Sequence, residues 1–410
     1  MPSVWKQAVI SPVPKTRTVT SPADLRPISV TPVLSRIVER LVVKDFVVPA
    51  IPADAIRDQY AYKTTGSTTC ALINITDTVG RMLETNRFVR CLMLDFSKAF
   101  DTVDHLNLLQ KLKSYSLPNN ILSWIMSYLT DRNQFTKING ICSAIATINR
   151  SIVQGSVIGP HAFIVYIADL KARGITNTII KYADDCTLLV PEMCDVTAED
   201  ELAHIKMWCI INKLLLNLIK TIEVVITRPN PRMDLIPDCF PDIERVQCAK
   251  VLGVYIDNKL SFGTHVDNLI KVCSQRFYLL QQMRKQGLSD ESLKLVFNGI
   301  VLNKVQYALP MWAGYLSQEQ IDRLDSIFKK AHRWHLTDTL HDTSELLGQM
   351  DINLFTKCLN PDHCLNHLLE PPKSTSQMVL RPRGHSFSLP RFKYEVTKKS
   401  FIFRALYEFI

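Results

Sequence analysis

Two apolar runs in this chain end in acid. Residues 88–95 read Phe-Val-Arg-Cys-Leu-Met-Leu-Asp, and residues 177–190 read Asn-Thr-Ile-Ile-Lys-Tyr-Ala-Asp-Asp-Cys-Thr-Leu-Leu-Val. A short, nearly unbroken apolar run suits a buried strand. The second run has a tight polar centre between two β-rich flanks, which is a hairpin pattern. Asp184 and Asp185 then fall at a hairpin tip, and Asp95 closes the other strand. Adjacent carboxylates beside apolar strands are costly, because like charges raise each other's pKa. A cation offsets that cost, and hard divalent ions such as Mg²⁺ take a few carboxylates together with substrate phosphates. Taken alone, Ala183-Asp184-Asp185 also reads as an ordinary turn, and Asp95 as a strand end or N-cap.

The surrounding pattern predicts mixed structure. Eight of the 21 prolines precede position 53, which predicts extended segments and turns, interrupted by one short helix around Val33–Val48. Helical spacing follows over Ser67–Glu84, His105–Tyr115 and Ile121–Leu129. The loop Val153-Gln-Gly-Ser-Val-Ile-Gly-Pro leads into an apolar helix ending near Leu170. A further helix is predicted over Ala198–Leu218, then strands at Glu223–Thr227 and Val251–Asp257. From Thr264 to Arg333 the pattern is helical. The order predicts an α+β unit over 1–257, with one mostly antiparallel sheet and helices on one face. A helical unit covers 258–336, and a basic segment, 337–410, has no clear pattern.

Composition narrows the class. The 410 residues are 47% hydrophobic and 21% charged, with a net charge of +9, which excludes a disordered or fibrous chain. The last forty residues hold eight basic and two acidic side chains, so they are expected to be solvated or to contact a polyanion. The 11 cysteines contain no CxxC and suit a reducing compartment, where thiols act as small hydrophobes. No signal peptide or membrane span is apparent, so an intracellular protein without a membrane partner is expected. Cys358, His363, Cys364 and His367 are the nearest zinc candidate. Their C-x4-H-C-x2-H spacing matches no common zinc pattern, so buried thiols and histidines are the expectation there.

A series of ordered motifs resembles the reverse transcriptases of jockey-like non-LTR retrotransposons. It begins with Leu25-Arg-Pro-Ile-Ser-Val and Gln59-Tyr-Ala-Tyr-Lys-Thr-Thr-Gly-Ser-Thr. It continues with Leu94-Asp-Phe-Ser-Lys-Ala-Phe-Asp-Thr-Val-Asp-His, Gln154-Gly-Ser-Val-Ile-Gly-Pro and Tyr182-Ala-Asp-Asp. Leu216-Asn-Leu-Ile-Lys-Thr, Lys250-Val-Leu-Gly-Val-Tyr-Ile-Asp and Tyr307-Ala-Leu-Pro-Met-Trp complete it. The match covers most of 1–335. It implies a right-hand polymerase: fingers and palm over 1–257, a helical thumb over 258–336, and an antiparallel palm sheet backed by helices.

The resemblance also implies roles. Asp95, Asp184 and Asp185 would be the catalytic carboxylates, binding two Mg²⁺ (or Mn²⁺) with the Phe96 carbonyl as a further ligand. Phe100 would be the sugar gate that selects dNTP over rNTP. Gln154 and Gly155 would border the incoming nucleotide and template base. Lys220 would donate a proton to pyrophosphate, with Asn217 as a cap or turn residue. Lys63 and Arg26 would contact phosphates. Leu252, Gly253 and Val254 would form the primer-grip hairpin, where backbone must approach nucleic acid closely. The implied partners are an RNA template, a DNA primer and dNTPs, with no small-molecule cofactor beyond metal. The implied compartment is the nucleus, at the site of insertion. Nothing in the sequence sets an oligomeric state.

Several positions depart from the family pattern. Val153 stands where Pro is usual, His161 and Ala162 where a large aliphatic is usual, and Ala61 and Lys63 where Gly and Arg are usual. Lys lacks the planar fork of Arg. The polymerase motifs start within the first thirty residues, so a fragment lacking the endonuclease is expected. A non-catalytic nucleic-acid-binding relic and a domesticated polymerase are the rival readings.

Overall fold

The computed structural model describes residues 1–16, 18–228, 236–372, 385 and 387–409. Its strands, in chain order, are β1 Gln7–Pro14, β2 Leu25–Val30, β3 Phe88–Leu94, β4 Arg132–Ile138, β5 Ile141–Cys142 and β6 Ala146–Ile148. They continue as β7 Thr178–Tyr182, β8 Asp185–Pro191, β9 Ile222–Thr227, β10 Glu244–Arg245, β11 Cys248–Val251 and β12 Val254–Asp257.

The central sheet runs β10-β9-β3-β8-β7. β3 pairs antiparallel with β8 on one side and β9 on the other, and β7–β8 is the expected hairpin. Successive residues of β3 serve opposite faces. Val89 and Cys91 join one core, and Leu92 and Leu94 join another. The sheet is therefore covered on both faces, not one as expected. This is why the strand reads as an unbroken apolar run. Helix Thr68–Thr85 covers the first face. Helices His105–Lys113, Asn119–Leu129, Ile158–Tyr166 and Ala198–Ile211 cover the second. The exception in β3 is Arg90, which is buried. Its guanidinium meets Glu223 at 2.6 Å and Glu199 at 2.7 Å and lies 4.2 Å over the Phe240 ring, so its charge is compensated.

A second sheet is absent from the sequence reading. β2-β1-β4 form its spine, and β4 also carries β5 and β6. β1 and β4 are parallel, and the other pairs are antiparallel. The prolines that suggested turns are compatible with it. β4 pairs only with Gln7–Ile10 of β1, so Pro12 and Pro14 lie beyond that ladder. Pro27 sits on the edge strand β2, where a missing N–H costs little.

After the hairpin β11–β12 the chain is helical. Gly263–Lys285 is its longest helix among the described residues, followed by Gln318–Arg333 and Thr343–Cys358. The described part of the C-terminal segment is built into the same core, unlike a solvated tail. Helix Thr343–Cys358 contributes Phe355 and Cys358, and helix Phe401–Glu408 contributes Phe401, Phe403 and Leu406. Ser400 donates to the buried Asp77 at 3.2 Å, and Arg81 reaches Glu370 at 2.8 Å. The basic residues Lys373, Arg381 and Arg383 lie outside the described residues.

Candidate active site

Strand register brings the carboxylates together. Leu94 pairs with Cys186, and Tyr182 pairs with Asp185. The residue after Leu94 is therefore opposite the residue before Cys186. Such neighbours have Cα atoms about 4.5–5.5 Å apart. Asp95 and Asp185 stand side by side, and Asp184 occupies the adjoining turn. Among the described residues, none of the three forms an ion pair. Burial raises the Asp184 pKa, and the Asp95 charge adds to the rise, while Arg26 works against it. Burial, then Asp184 and Asp95, push Asp185 up to about 6. The Asp185 surface is open to solvent although protein mass surrounds it, so solvent screens part of that effect.

Three elements fix the geometry. The first lies beneath Asp95. Its carbonyl accepts from Asn217 N–H at 2.8 Å, its N–H donates to Thr221 Oγ1 at 3.3 Å, and Ser97 N–H donates to the Leu215 carbonyl at 2.8 Å. These bonds leave the Phe96 carbonyl on the opposite edge, free of that pairing. The segment can do this only because the helix stops at Ile211, seven residues before its expected end. Lys213 is left-handed, with φ 53°, and Leu214 N–H returns to the Cys209 carbonyl at 2.9 Å. That is a Schellman closure without glycine, so the usual stop signal is missing from the sequence.

The second element is Gln59, which is buried. Its Oε1 accepts from the N–H groups of Tyr60, Ala61 and Ala183 at 3.1, 2.9 and 2.9 Å. Ala183 is left-handed, with φ 55°, a conformation that costs a non-glycine residue about 1–2 kcal/mol. The Gln59 bond holds it there. The third is Lys181, fully buried. Its Nζ donates to the Ile167 and Leu170 carbonyls at 3.0 and 2.9 Å and pairs with Asp58 at 3.0 Å.

The remaining sequence candidates are distributed around this centre. Arg26 lies within the field of Asp184. Phe100 stacks on Phe163 with centroids 4.2 Å apart. Gln154 donates to Asp101 at 2.7 Å, and its carbonyl accepts Ser29 N–H at 2.7 Å. Gly155 has φ 109°, and a Cβ there would lie 2.6 Å from the Ser29 carbonyl. Its close approach is thus to β2. Lys220 is exposed and adjoins Thr221, while Asn217 Oδ1 accepts the Lys220 N–H at 3.3 Å, the turn role expected for Asn217. Lys63 points elsewhere: its Nζ donates to the Ile56 carbonyl at 3.1 Å, and burial lowers its pKa. Leu252 and Gly253 turn the β11–β12 hairpin, and Val254 is fully buried.

A family model described as reverse transcriptase (RNA-dependent DNA polymerase) matches residues 13–256, more than half of the chain. The chain belongs to the reverse transcriptase family. It is 26% identical over 376 residues to the probable RNA-directed DNA polymerase from transposon BS of Drosophila melanogaster, covering 87% of this chain and 41% of that protein. It is 28% identical over 286 residues to the RNA-directed DNA polymerase from mobile element jockey of the same organism, covering 65% and 31%. The chain thus spans about two-fifths or less of these relatives. Candida tropicalis telomerase in complex with a fragment of telomeric RNA is 11% identical, with a TM-score of 0.48, over 90% of this chain and 64% of that one.

Four residues of this chain escaped sequence reasoning. Gln59 and Tyr62 sit inside a motif read only for Lys63. Tyr62 is half-exposed, and burial and then the Asp184 charge raise its pKa. Phe163 follows the departures at His161 and Ala162. Tyr307 opens the motif after the palm, and its hydroxyl donates to the Leu252 carbonyl at 2.7 Å. It also lies within the field of Tyr182. Among the described residues, no helix of the chain is long and apolar enough to cross a membrane.

Proposed function

We propose that this chain is the RNA-directed DNA polymerase of a non-LTR retrotransposon. It transfers a nucleotide from dNTP to a primer 3′-hydroxyl on an RNA template. The observation that carries this reading is the register that sets Asp95 beside Asp185, with no ion pair to either carboxylate among the described residues. Three carboxylates and the Phe96 carbonyl are hard oxygen donors, a set that fits Mg²⁺, with Mn²⁺ as the alternate ion. When bound, two such ions activate the attacking hydroxyl and neutralise charge on the phosphates.

The chain's own residues do the positioning, which dominates phosphoryl transfer. Asp95 and Asp185 project from paired strands, so their spacing is set by the sheet. Phe100, braced by Phe163, closes the space beside the sugar 2′ carbon. Gln154 and Gly155 border the nucleotide and template base. Arg26, and more remotely Lys63, offer cations to phosphate. Lys220, with a free exposed ammonium, gives a proton to the departing pyrophosphate. Leu252, Gly253 and Val254 hold the primer end. Residues 1–257 act as fingers and palm and 258–336 as thumb, with the described part of 337–410 buttressing the palm helix. Activity at chromosomal DNA assigns the protein to the nucleus.

Purified protein is given poly(rA)/oligo(dT), dTTP and Mg²⁺. The primer is extended, and Asp184→Asn lowers the rate by about a thousandfold, the scale expected for a lost electrostatic anchor. No extension by the unmutated chain at high enzyme excess overturns the reading in favour of a relic that only binds nucleic acid.

A further inference from the structure

We propose that Cys70, His363 and Cys364 form a structural zinc site that clamps the C-terminal segment onto the palm helix Thr68–Thr85. The three side chains come from positions nearly three hundred residues apart. Each is buried, and their ligand atoms all lie within 4.8 Å of one another. Two ligands at zinc bond lengths in a tetrahedral site stand about 3.7 Å apart. Closing the group around an ion therefore takes about 1 Å of side-chain movement. Two thiolates and an imidazole are the donor set of zinc, not of magnesium or calcium.

The surroundings favour this use. His363 Nδ1 accepts the Leu365 N–H at 3.3 Å. That bond puts the ring proton on Nε2, so ligation through Nε2 requires the proton to move to Nδ1 or leave and the Leu365 bond to be given up. Cys70 lies in the first turn of its helix and accepts from Ser67 Oγ at 3.1 Å. A helix start and a donated hydrogen bond both favour a thiolate. Cys364 in turn meets the Thr65 carbonyl at 3.1 Å, so the cluster abuts the loop that carries Tyr62 and Lys63. Cys358 is fully buried and interacts with Cys70, but stands outside the group of three. The group supplies three protein ligands, which would leave the fourth position of a tetrahedral site to water. Zinc binding releases the Cys70 and Cys364 protons to solvent.

The sequence spacing obscured this site, because C-x4-H-C-x2-H supplies only part of it. Cys70 belongs to a different element. The clamp is independent of the polymerase reading, since its readouts are metal content and stability.

The test measures zinc in the full chain, expressed and purified without added chelator. About one zinc per chain is expected, falling to about a tenth of that in Cys70→Ser and in Cys364→Ser. Cys273→Ser, a buried thiol outside the cluster, keeps its zinc. If the two variants do not fold, the unmutated chain still decides. Replacing zinc by Co²⁺ gives an intense thiolate-to-cobalt charge-transfer band, and chelation lowers the melting temperature. Absence of stoichiometric zinc together with absence of that band overturns the proposal. So does zinc retained in both variants. So does a Cys70–Cys364 disulfide found by mass spectrometry in the metal-free native chain.

Discussion

The two hairpins that meet at the cleft are built alike and held differently. Each has a two-residue turn, Ala183-Asp184 in one and Leu252-Gly253 in the other. In the second, both turn residues are left-handed, at φ 45° and 88°, which matches strand twist and lets the backbone hold its own shape. It needs one outside bond, from Tyr307. In the first, only Ala183 is left-handed, and the next residues are like charges. That tip is held from outside by Gln59. A loop that must present repelling carboxylates takes its shape from a neighbour, whereas a loop that presents only backbone can carry its own.

The comparison breaks if the outside anchor is dispensable. Gln59→Ala leaves the Ala61 and Ala183 N–H groups without their acceptor, each costing about 1 kcal/mol or more, while Tyr60 N–H keeps the Lys181 carbonyl at 2.9 Å. A loss of about 2 kcal/mol in chemical denaturation is expected, with nucleotide incorporation falling further than stability alone explains. A loss below about 1 kcal/mol would mean that the tip holds itself. Gly253→Ala probes the other hairpin. It forces a side chain to φ 88° and sets its Cβ 3.3 Å from the Tyr307 ring. The expected cost is about 1–2 kcal/mol, with weaker primer binding and little change in dNTP affinity. If both variants shift dNTP and primer binding equally, the two hairpins do not divide the work.

The first hairpin was legible in the sequence because it is local: two β-rich runs around a polar centre. The second came only from the family resemblance, since the pattern predicts one strand over Val251–Asp257, where the chain turns at Leu252-Gly253. The Asp triad was legible as residues, and its geometry followed once β3 was known to pair with β8. What was not legible depends on distant partners. Gln59 resembles any polar loop residue until its carbonyl oxygen is seen to gather three N–H groups. The end of the Ala198–Ile211 helix carries no glycine, so periodicity ran on to Leu218 and hid the segment beneath Asp95. The β2-β1-β4 sheet joins strands more than a hundred residues apart, and its prolines read as turns although Pro12, Pro14 and Pro27 lie within the β1–β2 ladder. Cys70 and Cys364 are both visible in the sequence, but nothing there brings them together.

The smallest effect concerns the charge that makes the first hairpin dependent on help. Asp185 has a folded-state pKa of about 6, against an ordinary value of 3.8. An acid whose pKa is raised on folding holds its proton more tightly when folded. Its stability contribution is therefore present below about pH 3.8 and is lost as pH rises through about 6. Above that, in the absence of divalent ions, the ionised Asp185 repels Asp184 and Asp95. Asp185→Asn removes the repulsion while keeping the shape of the side chain. In chelator at pH 7.5 the variant is expected to melt above the unmutated chain, and the gap should close towards pH 4. With Mg²⁺ added, only the unmutated chain should gain substantially, since it keeps the third carboxylate. The same titration predicts that primer extension declines as pH falls below about 6, where protons compete for the carboxylate that the metal needs. A variant less stable than the unmutated chain at pH 7.5 in chelator would show that the three carboxylates do not repel one another. The first hairpin would then need no more support than the second.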